Sequence, residues 1–106
     1  MTPLKVLILE DQPDDAELVL RELRKAGYDL QYEQVDTEEA FRSRLNHPPD
    51  IILADYYLPR YDALRALRHL KEIGLDVPFI VVTGAVGKEK AVDCIKEGAT
   101  EREEVA

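Results

Sequence analysis

At 106 residues the chain has room for one hydrophobic core and one domain. An apolar fraction of 45% and a charged fraction of 34% are those of a foldable globular chain and exclude a disordered one. Fourteen basic against twenty-two acidic residues leave a net charge of −8, which opposes direct binding to nucleic acid or anionic lipid, and a single cysteine, Cys94, precludes an internal disulfide. The apolar run after Met1 is too short for a signal peptide or a membrane span, so a cytoplasmic setting is expected.

Residues 4–9, carrying Leu4, Val6, Leu7, Ile8 and Leu9, read as a buried strand that runs straight into Glu10 and Asp11. Pro13 then opens a helix, because proline suits a first helical turn and the acids Asp14, Asp15 and Glu17 complement the positive end of the helix dipole. Its apolar positions Ala16, Val19, Leu20 and Leu23 follow helical spacing, and Gly27 supplies a stop. Residues 29–35 alternate Leu30 and Tyr32 with polar neighbours, as a partly exposed edge strand does. Thr37 caps a short helix that carries Ala40, Phe41 and Leu45 on one side and ends at Asn46, His47, Pro48 and Pro49.

Residues 51–55 form an unbroken apolar run closed by Asp55, the pattern of a strand buried on both faces of a parallel sheet. Residues 62–73 follow as a helix with Ala63, Leu67 and Leu70 inward and Gly74 at its end. Residues 77–83 read as a fourth strand, with Pro78 tolerated at its start, and residues 88–97 as a helix with Ala91, Val92 and Ile95 inward. Strands alternating with helices predict an α/β fold, a doubly wound parallel sheet covered by helices and joined by right-handed crossovers.

Such a sheet places Glu10 and Asp11, Asp55 and Thr83 along one edge, where ligands of open α/β sheets collect. Asp55 alone is equally a turn residue before Pro59. Together, three carboxylates repel and raise one another's pKa unless a cation sits among them, and an oxygen-only set suits Mg²⁺. Asp55 would then be an attacking carboxylate toward a phosphoryl group. His47 and His69 fall away from that edge, and Arg60, Arg65, Arg68 and Lys71 read as a solvated basic face or, less simply, a partner surface. The glycines of Gly84-Ala85-Val86-Gly87-Lys88 miss the spacing of a nucleotide-binding phosphate loop.

Four motifs carry a resemblance: Val6-Leu7-Ile8-Leu9-Glu10-Asp11, Pro49 through Pro59 around Asp55, Val77 through Gly84, and Ala91 through Ala99. In this order they resemble the receiver domain of two-component response regulators, of the chemotaxis type, with a flavodoxin-like sheet. The resemblance implies that Asp55 is the phosphoacceptor, that Glu10, Asp11, Asp55 and the backbone carbonyl of Tyr57 hold Mg²⁺, and that Thr83 is the switch hydroxyl. It implies a histidine kinase or phosphotransfer protein as partner, and a phosphoryl acceptor rather than an enzyme.

The family continues with a fifth strand ending in a lysine and then a fifth helix. Here residues 1–100 read as receiver-like, whereas 101–106 read as an altered or truncated tail that either continues the fourth helix or frays, with Val105 at the lysine's place by counting. The expectation is therefore four βα units in strand order 2-1-3-4, with the fifth unit missing. An uncovered fourth strand and an uncovered sheet face would favour self-association. Three functions follow: a phosphoacceptor receiver, a receiver-derived dimerising module without effective switching, and a metal-dependent phosphohydrolase. The last usually needs a second acid two residues after its nucleophile, where Tyr57 stands.

Overall fold

A computed structural model describes residues 2–55, 58 and 60–82, together with the backbone of 103–105. Its elements are β1 (Thr2–Leu9), α1 (Pro13–Lys25), β2 (Tyr28–Val35), α2 (Glu38–Arg44), β3 (Ile51–Asp55), α3 (Ala63–Ile73), β4 (Phe79–Val82) and β5 (Glu103–Val105). The strands form one sheet in the order β2-β1-β3-β4-β5, and every neighbouring pair is parallel. The expected order 2-1-3-4, with helices between the strands, is the order found. The helix expected over 88–97, with Cys94 in it, lies outside the described residues, as do Tyr57 and Thr83.

Each helix begins and ends for local reasons. α1 has Pro13 in its first turn, Asp14 and Asp15 behind it, and Arg24 and Lys25 in its last turn, so both ends complement the dipole. Thr37 caps α2 by accepting the Ala40 N–H at 3.2 Å. Asp62 caps α3 by accepting the Arg65 N–H at 2.8 Å, and Gly74 closes that helix in the left-handed region at φ +70°.

Two apolar layers bury the sheet. Val6, Ile8, Ile51, Leu53 and Ile80 face α1 and pack with Ala16, Val19, Leu20 and Leu23. Leu7, Leu9, Ile52, Ala54, Phe79 and Val81 face the other way, onto Phe41 and Leu45 and onto Ala63, Ala66 and Leu70 of α3. Burial on both faces is what turns the central strands into continuous apolar runs. β2 is the edge strand its alternation predicts, with Tyr32 exposed. In α3 the small Ala66, not Leu67, is the fully buried middle position; Leu67 packs at the margin.

The tail expectation is corrected. Residues 103–105 are neither absent from the sheet nor helical: Glu103, Glu104 and Val105 pair with Phe79, Ile80 and Val81 as a short fifth strand. A parallel edge strand is recruited through its backbone N–H and C=O groups, so an apolar pattern is not required of it, and acidic residues on such an edge discourage further pairing. β4 is therefore not the open edge from which self-association was expected. The expected apolar patch is also missing from the described strands, since Ile51, Leu53 and Ile80 are at most 4% exposed in the single chain.

Phe41, wholly buried between the sheet and Tyr61, anchors α2. Phe41→Ala is expected to cost about 3–5 kcal/mol and Asp62→Ala about 1 kcal/mol, both read by equilibrium urea unfolding.

Candidate functional site at the carboxyl edge of the sheet

β1 and β3 pair in register with Leu9 beside Ala54, so the next residues, Glu10 and Asp55, leave the sheet side by side. Glu10 is fixed by its backbone. Its N–H donates to the Val35 carbonyl at 2.9 Å, and its own carbonyl accepts the Gln34 side-chain amide at 3.0 Å. From the first turn of α1, Asp15 turns toward the same point. Ile8, Leu9, Glu10, Asp15, Ala16, Val19, Leu53, Ala54 and Asp55 line a gap of about 20 Å³.

Glu10 is 4% exposed, and its Oε1 is buried without a hydrogen-bond partner. Burial foremost, then hydrogen bonding to and repulsion by Asp55, then the same from Asp15, push its pKa from 4.5 up to about 9. Carboxyls in such contact cannot all be ionised, so Glu10 is neutral at neutral pH in the absence of a cation.

Among the described residues no set of three or more His, Cys, Asp or Glu side chains stands ready-arranged around a metal position. The residue types alone suit a small hard cation: Glu10, Asp15 and Asp55 offer only oxygen donors and Glu10 Oε1 is buried without a partner, while the gap beside them is lined mostly by apolar side chains.

Of the expected site residues, the structure brings Glu10 and Asp55 together. Asp11 is half-buried and does not line the gap; Asp15 does. The position of Asp15 was legible only as a helix-dipole acid, because nothing in its spacing distinguishes it from Asp14. Tyr57 and Thr83 lie outside the described residues.

Residues 60–62, ahead of α3, contact the other side of the sheet. Tyr61, 2% exposed, meets the Phe41 ring at 5.6 Å and lies under the Arg65 guanidinium at 5.4 Å. Its hydroxyl, buried without a hydrogen-bond partner, is pushed above its ordinary pKa by burial and by Glu38, against the pull of Arg42 and Arg65. Arg60 pairs with Asp36 at 3.5 Å, and Arg65 pairs with Glu38 at 3.8 Å while donating to the Arg60 carbonyl at 3.2 Å. Two members of the basic face thus stay exposed but reach across the surface to acids of the β2–α2 segment.

A doubly wound parallel sheet with acids gathered at the carboxyl ends of its adjacent central strands defines a flavodoxin-like α/β domain with an acidic edge site. The chain belongs to the response regulator receiver domain family, whose pattern matches residues 6–102. It is 31% identical over 97 residues to the response regulator MprA of Mycobacterium sp. (strain KMS), a match covering 92% of this chain and 42% of that protein. It is 25% identical over 95 residues to the sensor histidine kinase RcsC of Salmonella typhimurium, covering 90% of this chain and 10% of that protein. The chain thus spans less than half the length of these relatives. Among solved structures it resembles the receiver domain of a putative response regulator NarL from Mycobacterium tuberculosis, with a TM-score of 0.68 at 20% identity over 99% of this chain and 84% of that one. A two-component regulator from Clostridium phytofermentans matches with a TM-score of 0.71 at 20% identity, over 89% of this chain and 90% of that one.

The Glu10 pKa makes stability depend on pH. The unfolded chain releases the Glu10 proton near pH 4.5 and the folded chain holds it to about pH 9, so the stability this group contributes is complete below pH 4.5 and is lost as pH rises toward 9. In metal-free buffer at pH 8, Glu10→Gln is expected to unfold at a higher urea concentration than the parent, with the gap closing below pH 4.5.

Proposed function

We propose that this receiver domain accepts a phosphoryl group on Asp55 from a phosphohistidine of a histidine kinase or phosphotransfer protein. The observation that carries this is the contact of Glu10 with Asp55, which concentrates carboxylate at the end of β3 where a divalent cation would be needed to relieve it. An Asp55 carboxylate oxygen attacks the phosphorus. A P–O bond forms as the P–N bond breaks, and the departing imidazole nitrogen takes up a proton.

Glu10 and Asp15 would hold Mg²⁺ together with Asp55, and Asp11 and the Tyr57 carbonyl are further ligands that the family resemblance supports. When bound, the ion neutralises charge on the incoming phosphoryl oxygens. Glu10 must lose its proton to serve as a ligand, so binding competes with protonation and strengthens as pH rises. Gln34 and the Val35 carbonyl keep the Glu10 backbone still while that happens. Thr83 is assigned the switch hydroxyl on the same resemblance.

A second reading rests on Val105, which ends β5 where the family's lysine is expected. In it the domain is a receiver-derived interaction module that does not switch effectively, and its self-association is a property to be measured.

Incubation with a small phosphoryl donor and Mg²⁺ distinguishes the two. The receiver function predicts a covalent mass increase of one phosphoryl group that is absent in Asp55→Asn; no mass increase, with a stable dimer by light scattering, supports the module. Mg²⁺ at about 100 times its Kd is also expected to stabilise the parent by about 2.7 kcal/mol and Asp55→Asn by much less, read as a shift in Tm.

A further inference from the structure

At the end of the sheet opposite Asp55, a cleft opens on the α2 side. α2 is seven residues long, whereas β1 and β2 run side by side for eight, from Thr2 beside Tyr28 to Leu9 beside Val35. The helix covers the carboxyl half of that strand pair, where Phe41 packs with Leu9 and Val35, and leaves the amino half bare. Lys5 beside Gln31 and Leu7 beside Glu33 make the floor; Ser43, Arg44, Asn46 and His47 make the wall. The space is about 490 Å³, within the ~300–1,000 Å³ of small-ligand sites.

Both sides of the cleft are anchored. Arg44 at the end of α2 forms an ion pair with Glu33 of β2. The chain leaving α2 is clamped to β1 at Asp50: the Lys5 N–H donates to Asp50 Oδ2 at 2.8 Å, and the Asp50 N–H donates to the Lys5 carbonyl at 2.9 Å. A ligand therefore meets a cleft already in shape, which lowers the ordering cost of binding.

The chemistry of the lining has a sign. Arg44 and Glu33 satisfy each other, which leaves Lys5 as the charged lining residue whose side chain has no ion-pair partner among the described residues, the Asp50 carboxylate being held on the Lys5 backbone N–H outside the lining. The side chains of Lys5, Gln31, Ser43, Asn46 and His47 make no hydrogen bond or ion pair among the described residues. A neutral apolar occupant would strip water from the Lys5 ammonium without replacing it, and a cationic one would meet like charge.

We propose that this cleft binds a small organic anion, a carboxylate or a phosphate monoester, with Lys5 as its counter-charge and Ser43, Asn46 and His47 as hydrogen-bond donors. Because the cleft lies at the amino ends of the strands, it is independent of the chemistry assigned to Asp55.

The test is a titration of the ¹⁵N-labelled chain with citrate and, separately, with glycerol phosphate, at constant ionic strength. Saturable shifts are expected at the amides of Lys5 and Gln31 and across residues 43–47, with a Kd of about 1 mM or tighter for at least one probe. Whichever probe saturates identifies carboxylate or phosphate ester as the recognised group. Binding should be unchanged in Asp55→Asn and weakened about tenfold or more in Lys5→Gln and in His47→Gln, whose side chains are exposed and whose Tm should match the parent. The proposal is overturned if neither probe saturates by tens of millimolar, if the shifts centre on Glu10 and Asp55, or if the two cleft variants bind as tightly as the parent.

Discussion

The structure depends most on the meeting of Glu10 and Asp55. Parallel strands buried on both faces give their acids no exit except the strand ends, and the pairing of Leu9 with Ala54 brings the two carboxyls out beside each other. The apolar layers that stabilise the sheet also strip water from Glu10, and that burial is the largest cause of its raised pKa. Desolvation and repulsion therefore have one origin, the register of β1 against β3. A domain built this way carries a standing penalty at its carboxyl edge that protonation relieves and that a divalent cation would relieve in its place.

Around that pair the scaffold is tied down unequally. On the α1 side, Asp15 and the buried Ala16 and Val19 close the gap against the strands. On the α2 side, residues 60–65 are fastened by the Tyr61 ring beneath Arg65 and against Phe41, with Arg60 and Arg65 reaching acids of the β2–α2 segment. Exposed ion pairs of this kind contribute little singly, roughly 0–1 kcal/mol each. Their value is positional, because they hold the start of α3 on a ring pair that is itself buried. The same shortness of α2 that brings Phe41 over the carboxyl half of β1 and β2 leaves their amino half open as the cleft.

Where expectation and structure part, the reasons are specific. Asp11 was the obvious neighbour of Glu10 in sequence, yet Asp15 lines the gap, because the first turn of α1 carries Asp15 back over the strand ends while Asp11 stays on the connecting turn. Leu67 seemed the natural buried residue of α3, but a helix lying close on a sheet favours small side chains at its nearest approach, and Ala66 takes that place. β5 was invisible because its pairing uses backbone groups that every residue possesses, and acidic side chains concealed it.

Hydrophobic period, caps and glycine stops were enough to determine four parallel strands, three of the helices between them, their faces within a residue or so, and the convergence of Glu10 and Asp55 at one edge. These are local signals, or follow from topology rules that admit few alternatives. Only the tertiary structure decided which acid joins Glu10 and Asp55, how far burial moves the Glu10 pKa, which arginines pair with the β2–α2 segment, and that a fifth strand joins β4. Each of those depends on distances between segments remote in sequence, and side-chain packing and backbone pairing set them where residue type alone leaves several outcomes equal.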